Sequence, residues 1–198
     1  MTTVGESRRG RPGYDQGGIL EIAVAAFNQY GYEATSMGLL AERLGLSKAA
    51  IYHHVSSKEE LLSLALDRAL GALEGVLDEE GARTGSAVDR LSHVIDRAVH
   101  VLIAELPSVT LLLRLRGNTE VERTALQRRR EFDRIVTGLV RAAEHEGDVR
   151  TDVDPAVLSR LLFGTVNSLT EWYRPDGSED VDRLAADVIA VALDGLRS

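Results

Sequence analysis

At 198 residues the chain is long enough to bury a substantial core, and its hydrophobic fraction of 44% supplies the material for one. It contains no cysteine, which excludes disulfide bonds, thiolate catalysis and cysteine-ligated zinc. The net charge of −8 argues against a uniformly basic nucleic-acid binder, but most of the acidic excess lies after residue 60, so a local positive surface remains available.

The N-terminal residues predict a flexible arm followed by short helices. Residues 1–14 are polar and carry helix-breaking glycines and a proline, and they lack the apolar core of a secretory signal. Apolar residues at three- and four-residue spacing then predict helices over 16–30, 36–44 and 47–54, with a glycine-containing turn between the last two. The sequence SSKEELL at 56–62 predicts a capped start for a fourth helix that runs to about residue 80.

The rest of the chain also has a helical pattern. Past the loop at 81–86, helices are predicted over 87–106, 109–116, 120–146, 155–174 and 178–196, with Pro107 ending the first of them. We therefore predict an all-α protein of about nine helices. It comprises a basic arm (1–14), a helix-turn-helix domain (15–60) and a larger helical domain (61–198).

The third predicted helix has the composition of a DNA-recognition helix. Ile51 and Val55 fall on its inner side, while Lys48 and Tyr52 face outward. Lys48 and Lys58 are the only lysines in the chain. A lysine in this position can donate to guanine or to phosphate, and small neighbouring residues let the helix backbone approach the bases. The alternative interpretation is a solvated helical hairpin.

The predicted arm strengthens the DNA-binding interpretation. The sequence RRGRP at 8–12 places Arg9 and Arg11 on either side of a glycine. Arginines presented in this way fit a narrow minor groove rich in A·T pairs. A basic tail alone is weak evidence, but this one directly precedes a helix-turn-helix pattern.

Residues 19–62, ILEIAVAAFNQYGYEATSMGLLAERLGLSKAAIYHHVSSKEELL, resemble the N-terminal domain of TetR-type transcriptional regulators. The resemblance implies DNA contacts at the positions of Ser36, Lys48, Ala49, Ala50, Tyr52, His53, His54 and Lys58. With Arg9, Arg11 and the capping residue Ser47, these residues form the predicted DNA-binding set. Gly38 departs from the usual longer polar side chain, which predicts less readout by the second helix, and Val55 replaces a common phenylalanine.

The last two predicted helices are the most apolar part of the chain. They are either buried within one subunit or, as the resemblance implies, form a four-helix bundle between two subunits. The predicted interface residues are Leu161, Leu169, Leu184, Val188 and Ala192. A two-fold dimer in turn predicts a palindromic operator with half-sites in successive major grooves.

A ligand site is implied by the same resemblance. Asn167 and Trp172 carry polar groups that need partners when buried, and either a ligand or the protein itself can supply them. The stretch at 163–177 resembles a branch of the family that senses acyl-CoA. The arginines Arg114, Arg116 and Arg128–Arg130 could meet the phosphates of such a ligand, or could simply form a solvated face. The candidate ligand residues are Arg114, Phe132, Asn167, Thr170, Trp172, Tyr173 and Arg174.

Other functional classes are less well supported. Asp89, His93, Asp96 and His100 share one side of a predicted helix, but their line is expected to face solvent, and we predict no metal site. The chain shows no phosphate-binding loop or nucleophile motif, so we predict neither an enzyme nor a cofactor. The prediction is a cytoplasmic, ligand-responsive, homodimeric repressor without membrane contact. A helical protein–protein adaptor that does not bind DNA is the alternative.

Overall fold

The computed structural model describes residues 15–177 and 179–194, and in this part of the chain every regular element is an α-helix. The ten helices are α1 (Gln16–Tyr30), α2 (Met37–Leu44), α3 (Lys48–Tyr52), α4 (Lys58–Val76), α5 (Glu80–Arg83), α6 (Ala87–Ala104), α7 (Leu106–Leu113), α8 (Glu120–Glu146), α9 (Pro155–Trp172) and α10 (Val181–Asp194). The all-α prediction is confirmed. The chain divides into two compact units between Leu61 and Leu62, within α4.

The first unit is built from local signals that the sequence displays. The side chain of Asp15 caps α1 by accepting a hydrogen bond from Gly18 N (2.8 Å), and α1 ends at Gly31, whose φ of 87° suits glycine. Ile19 and Phe27 of α1, Leu40 of α2 and Ile51 of α3 are almost fully buried and form the core of this unit. The three helices therefore fold around one small apolar cluster.

Helix α4 begins with a reciprocal capping arrangement. Ser57 Oγ accepts a hydrogen bond from Glu60 N (3.0 Å), while the Glu60 carboxylate accepts hydrogen bonds from Ser56 N and Ser56 Oγ (2.5 and 2.6 Å). The hydrogen bond from the Ser56 side chain, followed by that from its backbone, lowers the pKa of Glu60. This arrangement fixes the first turn of α4, which also carries Lys58.

In the second unit α6 is the central helix, and it packs against α5, α7, α8, α9 and α10. Its apolar stripe, which includes Leu91, Ile95 and Leu102, is almost fully buried. Helix α9 also packs against α7, α8 and α10. None of the helices in the described ranges combines the length and the apolar character needed to cross a membrane.

Several helix boundaries after residue 61 differ from the prediction, including the ends of α6 and α9 and both ends of α7. Helix α4 ends at Val76 rather than near residue 80, because Glu79 turns toward α6, where it contacts His93 and Arg97. A separate short helix, α5, follows. Pro107 does not end a helix but lies in the first turn of α7, where its missing N–H has no helical partner to lose. The predicted start of α10 lies at residue 178, outside the described residues, and the described helix begins at Val181.

Three of the four residues in the acidic and histidine line of α6, namely His93, Asp96 and His100, are half-buried, which corrects the prediction that the line faces solvent; Asp89 is exposed. His93 Nε2 lies 2.8 Å from Glu79 Oε2, and His100 Nε2 lies 2.9 Å from Asp182 Oδ1 at the start of α10. Each histidine thus joins α6 to a different segment. Among the described residues, no group of three or more histidine and acidic side chains is arranged to hold a metal ion.

His100 is expected to make the stability of the second unit depend on pH. Both of its ring nitrogens face acceptors, Asp182 Oδ1 at 2.9 Å and the Asp96 carbonyl oxygen at 2.9 Å, so only the protonated ring can donate to both. The hydrogen bond with Asp182, and then that with Asp96, raises the pKa of His100 above 6.5. Its contribution to stability is therefore fully present below pH 6.5 and is lost as the pH rises through the raised pKa.

The measurement is thermal unfolding of the wild type and of His100→Gln between pH 5.5 and 8.5. At the acidic end the free energy of unfolding of the wild type should exceed that of the variant by on the order of 1 kcal/mol, which corresponds to a melting temperature roughly 2–4 °C higher. At the alkaline end the two proteins should be equally stable. His145→Gln, at an exposed histidine of the same unit, is the control. A constant gap between wild type and His100→Gln across this range would contradict the prediction.

Candidate DNA-binding surface and effector cavity

The helices α2 and α3 are joined by a sharply defined turn. Ser36 Oγ caps α2 by accepting from Leu39 N, and Ser47 Oγ caps α3 by accepting from Ala50 N, each at 3.1 Å. Between them Gly45 adopts a left-handed conformation (φ 64°, ψ 30°), and Leu46 N closes the end of α2 on the Ala41 carbonyl oxygen at 3.0 Å. Two caps and one glycine thus fix the angle at which α3 leaves α2.

The outward side of α3 matches the sequence prediction. Lys48, Ala49, Tyr52, His53 and His54 are exposed, Tyr52 by 50% of its surface. Ile51 and Val55 are buried as predicted. Ala50 is only half-exposed, so Ala49 is the more open of the two alanines. The geometry presents a cation, a small residue and three polar rings along one short exposed segment.

Gly38 creates the space that Lys48 occupies. A Cβ atom placed on Gly38 would lie 3.2 Å from Lys48 Cε and 3.4 Å from Lys48 Nζ, which is tighter than ordinary van der Waals contact. The missing side chain at position 38 is therefore compensated by a lysine that lies across the first turn of α2. This contact could not be found from residue spacing alone, since it depends on the angle between α2 and α3.

Lys58, one of the predicted DNA-binding residues, also makes contacts within the protein. Its Nζ donates to the Tyr32 carbonyl oxygen at 2.9 Å and lies 4.1 Å from the centre of the Tyr32 ring, which in turn packs edge-on against Phe27. Lys58 therefore ties the first turn of α4 to the segment after α1. The predicted minor-groove residues Arg9 and Arg11 lie outside the described residues.

A second candidate site is a cavity of about 40 Å³ inside the second unit. Its wall is mostly apolar and includes Ala69 and Leu73 of α4, together with Phe132 and Phe163, whose rings meet edge-on at 5.4 Å. Asn167 of α9 also lines it. Of the predicted ligand residues, the structure brings Phe132 and Asn167 to this cavity.

The other predicted ligand residues lie outside the cavity wall. Arg114, Trp172 and Arg174 are exposed, and Thr170 donates its hydroxyl hydrogen to the Asn167 carbonyl oxygen (2.8 Å). Tyr173 is buried at the end of α9, where the helix has already passed the cavity. The cavity wall has two charged residues, Arg129 and Asp133; the sequence pointed to Arg129 only as one of several arginines that could meet ligand phosphates, and Asp133 was missed. Their position on the otherwise apolar side of α8 is the signal that could have identified them.

Arginine 128, the neighbour of Arg129, does not face the cavity. Its Nε and Nη2 donate to the two carboxylate oxygens of Glu74 (2.9 and 2.8 Å), and Nη1 donates to Asp67. Both acidic residues belong to α4, so Arg128 fastens α8 to α4. Bidentate pairs of this kind are stronger and more directional than ordinary surface pairs. Arg128 is therefore committed to the protein, whereas the sequence had pointed to it as an arginine that could meet a ligand phosphate.

The predicted dimer residues fall into two groups. Leu161 on α9 is 63% exposed, while Leu184 and Ala192 of α10 are half-exposed. Leu169 (0% exposed) and Val188 (7%) instead belong to the core of the unit, because they lie on the sides of α9 and α10 that pack inward. Three more large apolar residues of α9 and α10 are exposed and were not part of the predicted interface: Val157, Trp172 and Val191. We call these four exposed residues the apolar face.

Two family models match the chain, one described as "Bacterial regulatory proteins, tetR family" over residues 19–65 and one as "Tetracyclin repressor-like, C-terminal domain" over 84–196. The chain is 28% identical to the HTH-type transcriptional repressor KstR2 of Rhodococcus jostii, covering 91% of this chain and 90% of that protein.

Solved structures show the same similarity. SCO3833, a TetR family member from Streptomyces coelicolor A3, is 51% identical with a TM-score of 0.86 over 91% of each chain. AibR, solved in complex with isovaleryl coenzyme A and operator DNA, has a TM-score of 0.75 at 23% identity over 90% of this chain and 97% of that one. The latter shares the fold.

Proposed function

Because the chain belongs to the TetR family of DNA-binding transcriptional regulators, we propose that it is a homodimeric repressor that a small molecule releases from a palindromic operator. The observation that carries this proposal is the exposed side of α3, where Lys48, Ala49 and Tyr52 are presented together on a helix capped at its start. Members of this family are regulators, and the chain is accordingly not an enzyme.

In the proposed complex α3 lies in the major groove. Lys48 donates to guanine O6 and N7 or to a phosphate, and Ala49 allows the backbone to approach thymine methyl groups. Tyr52, His53 and His54 donate to phosphates, which set the orientation of the helix. Ser36, Ser47, Ala50 and Lys58 flank this contact, and Arg9 and Arg11 extend it into the neighbouring minor groove.

The apolar face supports the proposed dimer. Val157, Leu161 and Trp172 recur along α9 at helical spacing, and Val191 on α10 is 72% exposed. Exposing a row of large apolar side chains to water is unfavourable, and a second copy of the same face would cover it. A two-fold dimer presents two α3 helices, which fits two half-sites about one DNA turn apart.

The cavity supports the proposed effector site. Helix α4 begins with Lys58 and supplies Ala69 and Leu73 to the cavity wall, so one continuous helix carries residues of both candidate sites. A molecule in the cavity would act on α4 and thereby change the spacing of the two α3 helices. It must bind the DNA-incompetent state more tightly than the competent one, or the equilibrium does not shift. AibR supports an acyl-CoA or a related carboxylic acid as the effector.

A gel-shift experiment tests the DNA-binding proposal. The probe is DNA from the gene's own upstream region, with a random-site pool as a second probe, at two salt concentrations. We expect wild-type binding that weakens steeply with salt, and a loss of roughly tenfold to a hundredfold for Lys48→Ala and for Tyr52→Ala. Arg134→Ala removes an equal charge from an exposed arginine of the second unit and is the control. No binding to either probe at low salt would favour the helical adaptor.

A further inference from the structure

The polar part of the cavity wall carries side chains that make no hydrogen bond to the described part of the protein. Arg129 and Asp133 project from α8, and Asn167 projects from α9. Within residues 15–177 and 179–194, none of these three side chains makes a hydrogen bond or a close ion pair. The hydroxyls of Thr137 and Thr170 donate to the backbone carbonyl oxygens of Asp133 and Asn167 and leave their side chains untouched. Polar groups in a partly closed cavity need such partners, which water or a ligand can supply.

The charges of the wall define what a partner must offer. Burial raises the pKa of Asp133, and the nearby positive charges of Arg129 and Arg160 only partly offset it. Asp133 thus needs a hydrogen-bond donor beside it, whereas the guanidinium of Arg129 has only donors and needs an acceptor, best an anion. A ligand with a single polar group would leave one of the two residues unsatisfied.

We propose that the cavity binds a short-chain hydroxy acid, whose carboxylate accepts from Arg129 and whose hydroxyl donates to Asp133. The inference rests on the proposed role of this cavity as the effector site and names the class of effector. Asn167 can serve either group, because an amide both donates and accepts. The hydrocarbon part of the ligand lies against the apolar wall that contains Leu73, Phe132 and Phe163.

The spacing and the size of the cavity agree with this class. Residues 129 and 133 are four apart on α8, which separates their Cβ atoms by about 5–6 Å, so one or two carbons between carboxylate and hydroxyl suffice. A cavity volume of about 40 Å³ suits a small ligand and not the nucleotide part of coenzyme A. The free acid is therefore favoured over its coenzyme A ester.

The test compares three six-carbon probes by calorimetric titration of the full-length protein: 3-hydroxyhexanoate, hexanoate and 1-hexanol. Wild type should bind 3-hydroxyhexanoate about tenfold more tightly than either of the others, because each lacks one of the two polar groups. Asp133→Leu should remove the preference for the hydroxy acid over hexanoate while leaving hexanoate affinity unchanged. Arg129→Gln should weaken both acids but not 1-hexanol.

Controls keep the result interpretable. Arg130→Gln changes an exposed residue on the same helix and should bind all three probes as wild type does. Asp133→Ala, which also removes both acceptor oxygens, serves as a second variant if Asp133→Leu does not fold. The proposal is overturned by equal affinities for 3-hydroxyhexanoate and hexanoate, by equal loss of all three probes in either variant, or by no binding at millimolar concentration. Tighter binding of 3-hydroxyhexanoyl coenzyme A than of the free acid would also overturn it.

The gel-shift experiment separates this inference from the proposed function. If the probes bind in the expected pattern but do not release DNA, the ligand class stands and the effector role fails. If wild-type protein binds its operator but no probe, the DNA-binding proposal stands and the ligand class fails.

Discussion

Replacing Leu161 by aspartate is expected to convert the proposed dimer into monomers and to weaken binding to the proposed operator by about a hundredfold or more. Leu161 lies within the apolar face of α9 and is 63% exposed in the single chain. In a two-fold interface the same surface of both subunits meets, so one substitution introduces two carboxylates into an apolar contact. A buried, unpaired charge costs several kcal/mol, and a monomer also loses the gain in affinity from binding two half-sites together.

The measurement is the mass of the protein in solution by light scattering, together with a gel shift on the operator. Ile135→Asp is the matched control, since Ile135 is an apolar residue on α8 that is 38% exposed and is not part of the apolar face. It should leave both the mass and the affinity unchanged. The assignment of the apolar face fails if Leu161→Asp remains a dimer, or if Ile135→Asp dissociates as readily.

The first unit could be predicted almost completely because its signals are local. A capping serine acts on an amide three residues away, and Gly45 meets a conformational requirement of the turn that it occupies. Ile51 and Val55 are buried where the helical period places them. For the same reason the outward residues of α3 were identified correctly. The Gly38–Lys48 contact was not, because it depends on the angle between two helices.

The second unit was predicted less well because its details depend on contacts between segments distant in the chain. The end of α4 follows from the bonds that Glu79 makes to His93 and Arg97, which lie at least 14 residues away. Burial alone would raise the pKa of Glu79, but its hydrogen bonds from His93 and Arg97 outweigh that effect and lower it. No local sequence pattern predicts such a contact.

The cavity illustrates the same limit. Arginines 128, 129 and 130 are equivalent in sequence, yet one fastens α8 to α4, one lines the cavity and one faces solvent. A helix turns by 100° per residue, so neighbouring positions point in different directions, and only the packing of α8 decides which direction is interior. Leu169 and Leu161, both apolar and both on α9, are separated in the same way into core and surface.

Substituting Glu122 by alanine is expected to destabilise the protein by about 3 kcal/mol, which corresponds to a fall of roughly 6–12 °C in melting temperature. Only 4% of Glu122 is exposed, and its Oε2 accepts from three successive backbone amides, those of Arg116, Gly117 and Asn118, at 3.3, 2.7 and 2.9 Å. Alanine would leave these partly buried donors without their acceptor, and that loss is larger than the net value of one hydrogen bond.

Thermal unfolding of three variants tests whether Glu122 stabilises the loop at residues 116–118, between α7 and α8, or acts only as an ordinary surface charge. Glu122→Gln keeps a carbonyl oxygen that can accept from the same amides, so it should lose only about 1 kcal/mol. Glu120→Ala removes an exposed carboxylate paired with Arg123 in the same turn of α8 and should cost about 0–1 kcal/mol. Equal stability of Glu122→Ala and Glu120→Ala would show that the loop keeps its structure without Glu122.

Glu122→Ala should also weaken the binding of the cavity probes. The loop follows α7, and Leu112 and Leu113 of α7 line the cavity.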